Sequence, residues 1–234
     1  MSKRILLKLS GEALKGDDFN IQPQKVKQIA KEIKEIKDLG LEIVIIVGAG
    51  NIWRGIIGQE LGMARSQSDY MGMLGTIINA LALQDALENI QVQTRVMTAF
   101  NVISVAEPYI KGRALRHLNK GRVVILGAGL GSPYFSTDTA AALRSAELNI
   151  NNILMAKNGI KGVYDKDPKK FKDAILFKKM EFKEVIARKL DVMDITAVSF
   201  CWENKINIFV FDMNEEGNIK KIILNEKIGT FITY

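Results

Sequence analysis

Four apolar runs, each closed by a small or glycine-rich turn, constrain the fold of this chain more than any other feature. They are Arg4-Ile5-Leu6-Leu7-Lys8-Leu9 before Ser10-Gly11, Glu42-Ile43-Val44-Ile45-Ile46-Val47 before Gly48-Ala49-Gly50-Asn51, Arg122-Val123-Val124-Ile125-Leu126 before Gly127-Ala128-Gly129, and Asn152-Ile153-Leu154-Met155-Ala156 before Lys157-Asn158-Gly159. Runs rich in β-branched residues, without polar alternation, read as parallel strands buried on both faces. Helical periodicity occupies the gaps: Pro23 to Leu39, Ser68 to Glu88, Ala106 to Asn119, Thr137 to Leu148, and Lys183 to Lys205 with a break at Asp191 to Asp194. The alternation implies βαβ units, hence an α/β fold with a mostly parallel sheet covered on both faces. Asn207 to Phe211 and Gly229 to Tyr234 read as further strands flanking a turn at Asn214 to Asn218, whereas Ile219 to Leu224 fits helix and strand equally.

No Pro-rich linker, low-complexity segment or internal repeat interrupts the 234 residues, so one domain spanning 1–234 is expected. A single cysteine, Cys201, excludes an internal disulfide, and with the lone His117 it leaves no material for a Cys/His zinc site. Any metal must be held by carboxylates and ligand oxygens, as Mg²⁺ usually is. Lys8 and Glu12 interrupt the apolar start too early for a signal peptide, and no run approaches the roughly 20 apolar residues of a membrane span, so the chain reads as cytoplasmic. The net charge of +7 suits polyanions, but it is spread diffusely. Lys25, Lys27, Lys31, Lys34 and Lys37 alternate with acids around the apolar stripe Val26, Ile29, Ala30, Ile33 and Ile36, which is the solvated face of an amphipathic helix rather than a nucleic-acid platform. The denser run Lys166, Lys169, Lys170, Lys172, Lys178 and Lys179 reads as a solvated loop able to steer anions.

In an open α/β sheet, ligands bind beyond the carboxyl ends of the strands, and here each such end is a turn rich in exposed amides. Bare N–H groups, helix N-termini and cations together suit phosphates. Lys8 fits that site if its ammonium is buried beside an anion; the alternative is a side chain that snorkels to water. Asp138, in Ser136-Thr137-Asp138, is either a helix-terminus acid or the partner of Lys8 or Mg²⁺, and Asp69, in Ser68-Asp69-Tyr70-Met71-Gly72-Met73, carries the same ambiguity. No Gly-x-x-x-x-Gly-Lys-Ser/Thr or Gly-x-Gly-x-x-Gly run occurs. His117 sits among Arg113, Arg116 and Lys120, a setting that argues against Ser-His-Asp chemistry.

Taken in order, Lys8-Leu9-Ser10-Gly11-Glu12-Ala13-Leu14, Gly48-Ala49-Gly50-Asn51-Ile52-Trp53-Arg54-Gly55, Asp69-Tyr70-Met71-Gly72-Met73, Gly129-Leu130-Gly131-Ser132-Pro133-Tyr134-Phe135-Ser136-Thr137-Asp138 and Gly162-Val163-Tyr164-Asp165-Lys166-Asp167-Pro168 resemble the bacterial UMP kinase family of the amino-acid kinase superfamily. That resemblance implies a three-layer α/β/α sandwich whose N-terminal part binds the acceptor UMP and whose C-terminal part binds ATP. It implies that Lys8, Leu9, Ser10, Gly11, Gly50, Arg54, Asn158, Tyr164 and Asp167 contact ATP, and that Ala49, Asp69, Leu130, Gly131, Ser132, Pro133, Tyr134, Phe135, Ser136 and Thr137 surround UMP. Lys8, Arg54 and Asp138 would be the catalytic residues, with Mg²⁺ held mainly by the ATP phosphates rather than by a protein metal site. A homohexamer built from dimers is implied as well, in keeping with the helix Met71 to Leu87, which is apolar on most faces and carries Gly72, Gly75, Ala80 and Ala82.

Two departures from the family pattern stand out: Ala49 replaces the usual glycine, where a Cβ could crowd the UMP phosphate or tighten the turn, and Lys161 replaces the usual aspartate. The rival within the superfamily is a carbamate or amino-acid kinase, disfavoured by the acidic Asp69. From another class, the rival is a nucleotide-binding regulator or RNA-binding protein without turnover, disfavoured by the joint presence of Lys8, Arg54 and Asp138.

Overall fold

The computed structural model describes residues 3–168, 170–190 and 192–234, so Met1, Ser2, Lys169 and Asp191 lie outside the described residues. Its centre is a nine-stranded sheet in the order β4-β3-β5-β2-β1-β6-β8-β9-β7. The strands are β1 (Arg4–Leu9), β2 (Glu42–Val47), β3 (Thr94–Thr98), β4 (Glu107–Pro108), β5 (Val123–Gly127), β6 (Asn152–Lys157), β7 (Lys179–Glu181), β8 (Asn207–Asp212) and β9 (Thr230–Thr233). From β4 to β8 every pairing is parallel; β9 reverses direction against β8 and pairs in parallel with β7.

The helices are α1 (Pro23–Asp38), α2 (Gly55–Glu60), α3 (Arg65–Glu88), α4 (Lys111–Asn119), α5 (Thr137–Glu147), α6 (Phe182–Ala187), α7 (Ile195–Glu203) and α8 (Asn218–Ile223), with a 3₁₀ turn at Gly11–Leu14. They form the two outer layers of an α/β/α sandwich. Side chains alternate across a strand, so Ile5, Leu7 and Leu9 of β1 enter the core beneath α1, α3 and α8, while Leu6 enters the core beneath α4, α5, α6 and α7. Lys8 shares the Leu6 face and is thereby aimed at α5.

Three expectations are corrected. The helix foreseen from Ala106 starts at Lys111, because Pro108 holds its predecessor extended and Glu107–Pro108 becomes a short edge strand. The long C-terminal helix foreseen with a break at Asp191 to Asp194, the first of which lies outside the described residues, is two helices, the first ending at Ala187 and the second starting at Ile195; Asp194 caps α7 by accepting from Ala197 N at 2.9 Å. The helix foreseen from Ser68 begins at Arg65, so Asp69 stands beyond its first turn. Ile219 to Leu224, which fitted two patterns, falls on a helix at Asn218–Ile223, with Leu224 at its C-terminal end and Gly217 in the left-handed conformation (φ 79°) at its start. Strands β3 and β7 and helix α2 were not foreseen. The β3 sequence mixes threonines and an arginine with apolar residues, and only pairing between β4 and β5 makes it a strand.

Candidate active site

Lys8 is 9% exposed, and its Nζ lies 2.6 Å from Asp138 Oδ1. Burial at that level rules out a lysine that merely snorkels to water, and breaking such a pair by removing one partner costs about 3–5 kcal/mol. Asp138 does not cap its helix. That task falls to Ser136, whose Oγ accepts from the amides of Asp138 (3.0 Å) and Thr139 (3.1 Å), leaving the Asp138 carboxylate turned to the end of β1. Its Oδ1 is buried without an aligned hydrogen bond, so the Lys8 contact is ionic rather than directional. Asp194 reaches the same helix start from α7, accepting from Ser136 Oγ at 2.5 Å and from Thr139 Oγ1 at 3.0 Å.

The turns after β1 and β2 are packed against each other. A Cβ on Gly11 would fall 2.5 Å from Asn51 Oδ1, 2.7 Å from Gly50 N and 2.8 Å from Gly48 O, so no other residue fits. On the opposite side, a Cβ on Gly48 would lie 3.7 Å from Thr137 Oγ1, bringing the α5 start to the same place. Arg54, at the head of α2, is largely exposed and donates from Nη2 to Glu12 Oε1 at 2.6 Å, with Nε 3.5 Å from Gly50 O. Glu12 went unrecognised as its partner in the sequence.

One cavity borders the turn after β2 and another is lined by the loop after β6. The first, of about 200 Å³, is lined by Ala49, Asp69, Ser132, Phe135, Ser136 and Thr137, all expected acceptor-site residues, and by Trp53, Met73 and Thr76, which sequence reasoning missed. Leu130, Gly131, Pro133 and Tyr134 do not line it. Leu130 packs into the core, Gly131 turns with φ 78°, and Tyr134 is an exposed left-handed residue (φ 73°) whose amide donates to Asp69 Oδ2 at 2.8 Å. Asp69 therefore holds the 132–136 loop by one oxygen; its other oxygen lies where a side chain on Gly55 would strike it, at 2.7 Å. Ala49 has no left-handed backbone, and its methyl meets the bare face of Gly75, where a Cβ would lie 2.9 Å away. The alanine is thus accommodated by a glycine on α3.

The second cavity, of about 340 Å³, follows β6 and is lined by Gly162, Tyr164, Lys166, Asp167, Arg188 and Lys189 among others. Of the residues expected to contact ATP, Tyr164 and Asp167 line this cavity, while Lys8, Leu9, Ser10, Gly11, Gly50, Arg54 and Asn158 do not. Asn158 is set by a neighbouring turn instead, accepting on Oδ1 from Asn214 Nδ2 at 2.8 Å, while Gly159 N donates to Asp212 Oδ1 at 3.0 Å. Lys161 is exposed and lies 3.2 Å from Glu215, which raises its pKa through a side-chain hydrogen bond. His117 pairs with Glu107 at 3.1 Å and Arg122 at 3.0 Å at the sheet edge, away from both cavities.

Among the described residues no group of three or more His, Cys, Asp or Glu could hold a metal ion. The buried Oδ1 of Asp138, lacking an aligned donor, fits Mg²⁺ bound through one carboxylate and ligand phosphates. In the sheet, β1 stands between β2, whose turn borders the first cavity, and β6, whose following loop lines the second. A cation at that junction serves to bring two anionic ligands together, which is the task of a phosphoryl-transfer enzyme.

Comparison with known proteins agrees. Residues 3–212 match the Amino acid kinase family. A uridylate kinase of Aster yellows witches'-broom phytoplasma is 67% identical over 235 positions, covering 100% of this chain and 98% of that protein, and one from Limosilactobacillus reuteri is 55% identical over 98% and 96%. The solved structure of UMP kinase from Ureaplasma parvum superposes with a TM-score of 0.95 at 38% identity, covering all of both chains, and that of UMP kinase from Bacillus anthracis with 0.95 at 40%, covering 99% and 96%. The chain belongs to the amino acid kinase family, in its uridylate kinase branch.

Proposed function

We propose that this chain transfers the γ-phosphoryl group of ATP to UMP, giving UDP and ADP. A UMP phosphate oxygen forms the new bond to the γ-phosphorus as the bond from that phosphorus to the bridging β-phosphate oxygen breaks. The attacking oxygen is already ionised, so no general base is required, and no histidine borders either cavity. Catalysis is then a matter of placing two polyanions in line and neutralising their charge. Lys8 stabilises the transferring group, Asp138 orients Lys8, and Arg54 exchanges Glu12 for the phosphates. The Gly48-Ala49-Gly50-Asn51 turn and the Lys8-Leu9-Ser10-Gly11 turn hold phosphate oxygens with Gly50 at their meeting point. Mg²⁺, carried by the ATP phosphates and touched by Asp138, would supply further charge neutralisation.

UMP occupies the cavity at Ala49, Asp69 and Ser132 to Thr137; ATP occupies the cavity at Tyr164 and Asp167, with Asn158 at its edge. The observation that carries this reading is the buried Lys8–Asp138 pair at the junction of the two. Asp69 favours a ribose hydroxyl over an anionic acceptor in the first cavity, which argues against carbamate or an amino acid. The chain acts as a homo-oligomer, because Tyr70, Leu74 and Ile78 form an exposed stripe along α3, at 42%, 48% and 50% exposure, that a second copy would cover; the uridylate kinase branch suggests a hexamer built from dimers. No helix among the described residues is long and apolar enough to cross a membrane. A cytoplasmic setting suits the single, buried, free Cys201. ATP turnover measured with UMP, CMP, carbamate, aspartate and acetylglutamate tests the assignment: UMP should be used far better than the others, and equal or better turnover with any other acceptor overturns it.

A further inference from the structure

Near the middle of α3, Asn79 is completely buried. A buried primary amide is costly unless all its groups are bonded, and here they are. Asn79 Nδ2 donates to Gly48 O at 2.7 Å and to Asn51 Oδ1 at 2.8 Å, while its Oδ1 accepts from Asn51 Nδ2 at 3.0 Å. Asn51 Nδ2 spends its other proton on Asn20 O at 2.7 Å. All four amide protons are used. The orientation is also unique, because Gly48 O and Asn20 O can only accept and so dictate which end of each amide faces them.

Asn79 lines neither cavity and cannot touch a substrate. Its two partners, Gly48 O and Asn51 Oδ1, are nevertheless among the atoms against which Gly11 rests with no room for a Cβ. The position of the Lys8 turn relative to Gly50 and Arg54 is therefore set by what holds Gly48 and Asn51. Thr76, one turn earlier, does the equivalent for the third turn, its Oγ1 accepting from Ala128 N at 2.8 Å.

We propose that Asn79 is a positioning residue for phosphoryl transfer: through its paired amide bonds with Asn51 and its bond to Gly48 O, it locks the phosphate-binding turn against the Lys8 turn. This rests on the phosphoryl-transfer reading above but not on UMP being the acceptor. Without the lock, the turn keeps its sequence and can still bind phosphate, but it loses the register that in-line transfer needs. A misplacement of about 1 Å can cost about 10²-fold in rate.

The test compares purified full-length Asn79→Ala with Leu83→Ala, a fully buried α3 residue one turn further on whose apolar side chain can hydrogen-bond to none of the turns. Both should lower Tm. Assayed well below either Tm, with whichever acceptor the wild type phosphorylates, Asn79→Ala should lose about 30- to 100-fold in kcat with KM for ATP and acceptor changed less than about threefold, whereas Leu83→Ala should keep kcat within about twofold. Asn51→Ala should reproduce the loss, and the Asn51→Ala/Asn79→Ala pair should be no worse than the poorer single variant. Wild-type kcat in Asn79→Ala, or equal kcat losses in Asn79→Ala and Leu83→Ala, overturns the proposal. If Asn79→Ala does not fold, Asn79→Ser replaces it under the same criteria. The acceptor profile of the wild type judges the substrate reading separately from these ratios.

Discussion

The two cavities are built by different means. The wall beside α3 is held mainly by buried hydrogen bonds, Asn79 on Gly48 and Asn51 and Thr76 on Ala128, with the exposed bond from the Tyr134 amide to Asp69 at its rim. The wall after β6 is a run of bends whose ion pairs, Lys166–Asp173 and Lys170–Asp167, lie at the surface, where such pairs contribute about 0–1 kcal/mol. On the proposed assignment, a preformed acceptor side and a lightly held donor side would suit a reaction in which accuracy is demanded of the acceptor. Selectivity then resides where desolvated groups must all find partners.

The largest effect should come from the junction between the two regions. Lys8→Met should lower kcat by about 10²–10³, the usual loss for one preorganised stabilising group, and should lower stability as well because Asp138 stays buried without its cation. Kinetics with a parallel Tm measurement check this; near-wild-type turnover would remove Lys8 from the mechanism. On the acceptor side, UMP should exceed dUMP in kcat/KM by roughly tenfold or more, as a charge-assisted bond of about 1.5–3 kcal/mol allows. Asp69→Asn, which keeps an acceptor for the Tyr134 amide, should narrow the UMP/dUMP ratio and leave UMP/CMP nearly constant. An unchanged UMP/dUMP ratio would reduce Asp69 to a tether for the 132–136 loop.

Glu32 offers a third, purely thermodynamic effect. It is buried where α1 meets the start of α8, and desolvation raises its pKa from 4.5 to about 7 despite the Gly217 backbone hydrogen bond; Glu216 and Glu35 push the same way, and Lys221 opposes them. A carboxyl with a raised folded-state pKa binds more protons folded than unfolded between those two values. Stability should therefore fall as pH rises from about 4.5 to about 7 and then level off, by on the order of 1–3 kcal/mol from this group. Denaturant unfolding at pH 5 and pH 8 should show this loss in the wild type and not in Glu32→Gln, and parallel pH profiles would refute it. The smallest effect belongs to the exposed donor side. Lys161→Asp breaks only a surface contact with Glu215 and should change kcat by less than about twofold.

What the sequence alone determined were the features carried by local pattern. Apolar β-branched runs ending in glycines made the parallel core strands and the places where ligands gather, and Lys8, Asp138 and Asp69 stood out as charges where charges need a reason. Even the buried end of Lys8 follows in part from the two-residue period of a strand, which puts it on the Leu6 face. What tertiary structure decided were the pairings between distant segments. Lys8 and Asp138, Arg54 and Glu12, and Asn79 and Asn51 are separated by long stretches of chain, and no local propensity specifies them. β3 exists because its neighbours supply hydrogen bonds, not because its threonines favour a strand more than a loop. Asn79 was hidden for the same reason: one amide in an apolar helix carries no signal until the fold brings a carbonyl and a second amide to it, and only then does its burial become a bonded site rather than a defect.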